Sequence, residues 1–312
     1  MARSAAFRRF VAAVNTPVTL SRDSLDELPG VGVIHDLDAE ERVEAENVLI
    51  AKLADNDGRV ATALADIGCE RAIPALVQAT TEAAAPTMRV FAARALLRLG
   101  DHSGRDALTR MLRTHDGSAI DRGSAARLLA DFPDPDREIL LEAASTEPDS
   151  LAGTQATRAL LTVAGLDGED TRWGEVLLSI SGRLRSTLPS VRAEAADELR
   201  AVLAKWDAGE TAEELGLTWR ADKQDKVLGR FITSINGPEP EFGVDGLDEL
   251  TGRERTLVEN RVLLRLHVDR RAVRAAGRLK VRRAIEPLRE LLGSAEGEER
   301  DEIKSVLDSL TR

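Results

Sequence analysis

A chain of 312 residues and 33.8 kDa with 43% hydrophobic residues has room for one large or two ordinary domains and enough apolar side chain for a packed core. Its formal charge of -11, with six Phe, three Trp and no Tyr, argues against nucleic acid as a partner, because duplex binders carry a positive footprint and single-strand binders need aromatic platforms. No apolar run approaches the roughly eighteen residues of a membrane helix, and a single cysteine, Cys69, rules out an internal disulfide framework and fits a reducing cytoplasm.

Only six of the 43 basic residues are Lys, which together with the many acids gives a halophile-like acidic composition; that speaks of environment and not of fold. The opening, "MARSAAFRRFVAAVNTP", carries no acid before Asp23, and its apolar stretch "FVAAV" is shorter than the roughly 7 to 15 residues of a secretory core. It returns deep in the chain. "RRFVAAVNTP" at 8–17 aligns with "GRFITSINGP" at 229–238, matching Phe10 with Phe231, Asn15 with Asn236 and Pro17 with Pro238. "SLDELPG" at 24–30 answers "GLDELTG" at 246–252. After a nine-residue insertion in the first copy, "LDAEERVEAENVLIAKL" at 37–53 answers "LTGRERTLVENRVLLRL" at 250–266, and "ERAIPAL" at 70–76 answers "RRAIEPL" at 282–288. One structural module occurs twice, and segments 37–81 and 250–293 are expected to share one helix arrangement. The LDEL segments read as caps or docking elements of a repeat stack, with a duplicated recognition motif for bivalent binding as the alternative.

Between the copies a shorter period runs as R-x-x-A-A-x-x-L: Arg89, Ala92, Ala93, Leu96; Arg122, Ala125, Ala126, Leu129; Arg192, Ala195, Ala196, Leu199; and a weaker Gly153, Ala156, Thr157, Leu160. Positions i+3, i+4 and i+7 share a helix face, and paired Ala lets a neighbouring helix approach closely. Stops follow at Gly68, Gly100, Phe132 before Pro133, and Gly165, and Pro74 is tolerable only in the first turn of a following short helix. Each unit is a helix, a tight turn and a helix, at spacings that signal a helical solenoid.

In these residues the chain resembles the HEAT-like repeat family of the short type named for phycobilisome lyases, most clearly over 57–205 and 269–293. The resemblance implies an all-α, HEAT-like helical-hairpin solenoid, a right-handed superhelical stack. It departs from the pattern at Lys280, which holds the turn position of Gly68, and at Cys69, where the family has Asp. The expected organisation is an N-terminal cap or docking module at 1–36, a repeat array at 37–205, a helical bridge at 206–236, and a second cap module with C-terminal repeats at 237–312.

The chemistry-bearing residues point away from catalysis. Metal-dependent hydroxylases of the fold family carry repeated His-Glu pairs, whereas the four His here precede Asp36, Ser103, Asp116 and Val268. His102 and His115 read as polar residues of a turn and a helix end, Cys69 as a small turn residue, and Trp173, Trp206 and Trp219 as packing residues. Adjacent acids such as Asp26/Glu27 and Glu40/Glu41 read as solvated faces. Charge is uneven: residues 23–70 hold thirteen acids against Arg42, Lys52 and Arg59, while 253–289 hold twelve basic residues against Glu254, Glu259, Asp269 and Glu286. Arg270, Arg274 and Arg278 form one helical stripe, either a solvated face or a docking surface for an acidic protein partner. The expectation is a cytoplasmic, non-catalytic interaction scaffold without cofactor or metal. An enzyme or enzyme-accessory protein of the lyase or hydroxylase type is the alternative, and nucleic-acid binding through 253–289 a second.

Overall fold

The computed structural model describes residues 3–15, 28, 31–168, 174–218, 226–237, 241–247, 250 and 252–312. Trp173, Trp219, Pro17, Pro238, all of the first LDEL segment but Leu28, and Asp248, Glu249 and Thr251 of the second lie outside them. Every regular element among the described residues is helical, so the chain is all-α. None of these helices is long and apolar enough to cross a membrane.

The chain forms two compact units, Met1–Ile139 and Leu140–Arg312. The first contains α1 (Ala5–Asn15), α2 (Ala39–Lys52), α3 (Gly58–Asp66), α4 (Ile73–Glu82), α5 (Pro86–Arg98), α6 (Gly104–Thr114) and α7 (Ala119–Ala130). After α8 (Arg137–Thr146), the second continues with α9 (Ser150–Val163), α10 (Glu175–Leu184), α11 (Pro189–Asp207), α12 (Lys226–Asn236), α13 (Gly252–Arg265), α14 (Arg270–Arg278), α15 (Ile285–Ser294) and α16 (Gly297–Thr311). In the first unit α5 packs against α3, α4, α6 and α7, and α4 packs against α6. Successive hairpins thus stack first helix on first helix and second on second. In the second unit α14 and α15 both pack against α16.

The Ala and Leu positions of the repeat frame make these contacts. Ala92, Ala93 and Leu96, Ala125, Ala126 and Leu129, Ala156, Thr157 and Leu160, and Ala195, Ala196 and Leu199 are all buried. Each buried Leu contributes about 1.5–3 kcal/mol, and the Ala pairs keep the facing helices close.

What ends the helices is equally regular. Gly68, Gly100 and Gly165 have φ of 66°, 78° and 71°, and each closes a pair of reversed hydrogen bonds. For α5, Gly100 N donates to Leu97 O at 3.0 Å and Asp101 N to Leu96 O at 2.9 Å. Two of the carbonyls orphaned at the helix end are thereby satisfied. Lys280 carries out the same turn with φ 53°, its N–H donating to Gly277 O at 3.2 Å and Val281 N to Ala276 O at 2.9 Å.

The two copies of the module fold alike. In each, a helix (α2, α13) leads to a shorter one (α3, α14), a 3-10 turn (Glu70–Ala72, Arg282–Ala284) and a third helix (α4, α15). Phe10 and Phe231, aligned in sequence, are both fully buried. The same polar bracket recurs. Asp57 and Asp269 are N-caps whose carboxylates accept from the backbone N–H two residues on and from the side chains of Arg59 and Arg271. Arg42 pairs with Glu46 at 3.5 Å and Arg255 with Glu259 at 2.9 Å. The same arginines reach the carbonyl ends of α3 and α14 at Ile67 and Leu279, and Glu46 and Glu259 also face Arg71 and Arg283.

The cost of a left-handed turn depends on its side chain. A non-Gly residue there is strained by roughly 1–2 kcal/mol, partly offset by the greater unfolded-chain freedom of Gly. Lys280→Gly is expected to stabilise by about 1 kcal/mol and Gly68→Ala, where a Cβ meets no neighbour within 4 Å, to destabilise by a similar amount. Urea denaturation of the two variants checks the opposite signs.

Candidate functional site

The arginine stripe lies on α14, whose other face buries Ala272, Val273, Ala275 and Ala276. Arg270, Arg274 and Arg278 emerge with side chains 55%, 38% and 48% exposed. Arg270 Nη2 is 3.5 Å from Glu299 and Arg274 Nη1 3.0 Å from Glu302, both on α16. Arg278 Nη1 is 2.8 Å from Glu241 and its Nη2 3.2 Å from Asp245. The stripe the sequence places on one face is there, and each arginine faces a carboxylate of its own unit.

Arg261 and Arg283 of the basic segment are matched in the same way. Arg261 lies 3.1 Å from Glu175, and Arg283 pairs with Glu194 and lies 3.8 Å from both Glu198 and Glu259. Glu175, Glu194, Glu198, Glu241, Asp245, Glu299 and Glu302 all come from outside 253–289. The positive charge of this segment mirrors the acids folded around it.

The frame arginines turn inward as well. Arg89 Nε donates to Ala83 O at 2.8 Å, just past α4, and its Nη1 pairs with Asp116. Arg122 Nη1 donates to Gly117 O at 2.6 Å. Arg192 Nε donates to Ser145 O at 2.9 Å in the last turn of α8, and its Nη1 to Ser186 O at 2.7 Å just past α10. A cation near the start of one helix therefore satisfies the carbonyl end of an earlier one, the end where positive charge is favoured.

The other candidates have structural surroundings. His102 packs edge-on against Phe132, ring centroids 5.8 Å apart, and His115 is the left-handed C-cap of α6. No group of three His, Cys, Asp or Glu among the described residues is arranged to hold a metal. Trp206 Nε1 donates to Ala164 O at 2.9 Å, which makes it a packing residue with a satisfied N–H. Glu41 corrects the expectation of a solvated face. It is buried, and its carboxylate accepts from Ser4 N and Ser4 Oγ, each at 2.6 Å, pinning the start of α1 to α2. Side chains adjacent in sequence diverge on a helix, so Glu40 is exposed while Glu41 points at α1.

Sequence reasoning missed the most enclosed charge among the described residues. Arg183 on α10 is 0% exposed; its Nη2 pairs with Glu198 of α11, and its Nε and Nη1 are buried without a hydrogen-bond partner. Through Glu198 it joins Arg283, Glu194, Glu259 and Arg255 in one connected set. The signal was present, because Arg183 stands three residues after the buried Ile180 and four after the buried Ser179, on the face the helical period assigns to the core.

Stacked helical hairpins ended by left-handed turns and tied by arginine-to-carbonyl bonds define an all-α helical-repeat protein. Residues 58–82, spanning α3, the turn at Gly68 and α4, match the family model described as the PBS lyase HEAT-like repeat, so the repeat is HEAT-like. No curated protein and no solved structure matches the chain.

Cys69 lies at this turn, buried, with its thiol against Glu46. Burial first, and the Glu46 charge next, push the thiol up from its usual range, so the thiolate is disfavoured in the folded state. A disulfide reagent is expected to modify Cys69 only on unfolding. With the folded pKa raised, the contribution of this group is complete below the ordinary thiol pKa and lost as pH rises toward the folded value. Cys69→Val, which reproduces the Val281 of the second module, should remove that alkaline slope in a denaturation series while leaving neutral-pH stability within about 1 kcal/mol.

Proposed function

We propose that the protein is a non-catalytic interaction scaffold that receives an acidic segment of a protein partner along the stripe of Arg270, Arg274 and Arg278. One observation supports this reading: three guanidinium groups recur every four residues on one face of α14, each at least partly exposed and ion-paired with a carboxylate of its own unit. Exposed pairs of this kind contribute roughly 0.2–1 kcal/mol each, so carboxylates arriving on a partner can exchange with Glu299, Glu302, Glu241 and Asp245 at little cost. Guanidinium groups suit the task because their planar fork accepts a carboxylate in two parallel bonds. The frame arginines, bonded to backbone carbonyls within the repeats, are already committed to holding the stack together.

The triple variant Arg270→Gln, Arg274→Gln, Arg278→Gln tests this. Gln is the cleaner replacement because charge reversal would set Glu beside Glu299 and Glu302. Affinity capture at native salt is expected to retain an acidic protein on the wild type and to lose it, by at least about tenfold in affinity, on the variant. Melting temperature should stay nearly unchanged, since no more than about 1 kcal/mol rests on each exposed pair. Identical captured proteins from wild type and variant would refute the proposal.

A further inference from the structure

The two copies of the module differ in what covers their first long helix. In the second copy α10 packs against α13: Glu175 pairs with Arg261 at 3.1 Å, Gly182 lies against Leu264, and Asn260, on the same face, is buried. The aligned positions of α2 are Val48, Ala51 and Asn47. There Asn47 and Ala51 are exposed and Val48 is half-buried. By the same alignment α1 is the counterpart of α12, and no described element of the first unit is the counterpart of α10.

The face left open is a continuous stripe of Glu40, Val43, Glu44, Asn47, Val48 and Ala51 along α2. Glu40 is exposed, and Glu44, 38% exposed, pairs at the surface with Arg3. Val43, 45% exposed, is one of four large apolar side chains exposed among the described residues, and another is Val268, 64% exposed, two residues before Arg270. An acidic surface and a basic one in the same chain thus each carry an exposed valine.

We propose that the α2 face of one copy docks on the Arg270, Arg274 and Arg278 stripe of a second copy, so that the protein associates head to tail. This rests on the scaffold reading and deepens it by naming the acidic partner. Glu40 and Glu44 repeat with the same four-residue spacing as the arginines, about 6 Å along a helix. Val43 and Val268 supply apolar contact beside the charges, and the small Asn47 and Ala51 allow close approach. Because the two patches differ, each docked copy still offers one of them, and association continues into a ring or an open chain.

Sedimentation velocity of the intact protein over a concentration series, at low and high salt, tests it. The wild type is expected to associate at low salt and to disperse as salt screens the exposed charges. Val43→Arg sets a cation against the stripe from an exposed position, and should weaken association by at least about tenfold, as should Glu40→Arg. A mixture is decisive. Val43→Arg keeps its stripe, the variant Arg270→Gln, Arg274→Gln, Arg278→Gln keeps its α2 face, and together they should form one-to-one pairs and nothing larger. A wild type that is monomeric at every concentration and salt, undiminished association of both α2 variants, or a mixture without pairs would each overturn the docking. If the wild type is monomeric while its stripe still retains an acidic protein, the scaffold reading stands and a second copy is excluded as its partner.

Discussion

A helix that ends against a neighbouring helix cannot leave its last carbonyls to water, and this constraint shapes the whole chain. Four carbonyl oxygens at each C-terminus lack partners inside their own helix. Here two devices supply them. A left-handed residue folds the chain back on itself at Gly68, Gly100, Gly165 and Lys280, and an arginine reaches a carbonyl at the ends of α3, α4, α10 and α14.

The arginines explain a compositional feature that first looks environmental. The chain uses 43 Lys and Arg, of which only six are Lys. A guanidinium has five N–H donors in a fixed fork, so one side chain can bond a carbonyl and a carboxylate at once. Arg89 bonds Ala83 O and Asp116, and Arg271 bonds both oxygens of Asp269 and the carbonyl of Gly237 while lying 5.0 Å over the ring of Phe242. A lysine ammonium, on a flexible stem and without the planar fork, would make fewer of these bonds at once.

Much of the fold was legible because its determinants are local. A glycine stop, a Pro in a first turn and an Ala-Ala-Leu face are each written within a dozen residues, and the duplication exposed Lys280 as a left-handed turn residue that no local rule would pick out. The candidate site was legible only as a stripe. That Arg274 would face Glu302, or Arg278 Glu241, depends on which helix surfaces the stack brings together, and a carboxylate on a helix surface carries no mark of its partner. Arg183 was lost for the same reason, since Glu198 lies fifteen residues on and Arg283 a hundred. Sequence period locates a buried charge without saying what neutralises it.

A chain that carries one module twice runs a risk during assembly: each copy is a plausible occupant of the other's berth. The opposite charges of the copies work against that exchange. The positions of Arg270, Arg274 and Arg278 are held in the first copy by Gly58, Thr62 and Asp66, and that of Arg261 by Val48. Seated in the second berth, the first copy would present no cation to Glu299, Glu302 or Glu175 and would set Asp66 against Glu241 and Asp245. Like charges in contact penalise a wrong pairing even when shape permits it. What reads along the chain as charge asymmetry is, in the fold, a set of ion pairs that the residues of the other copy would not reproduce.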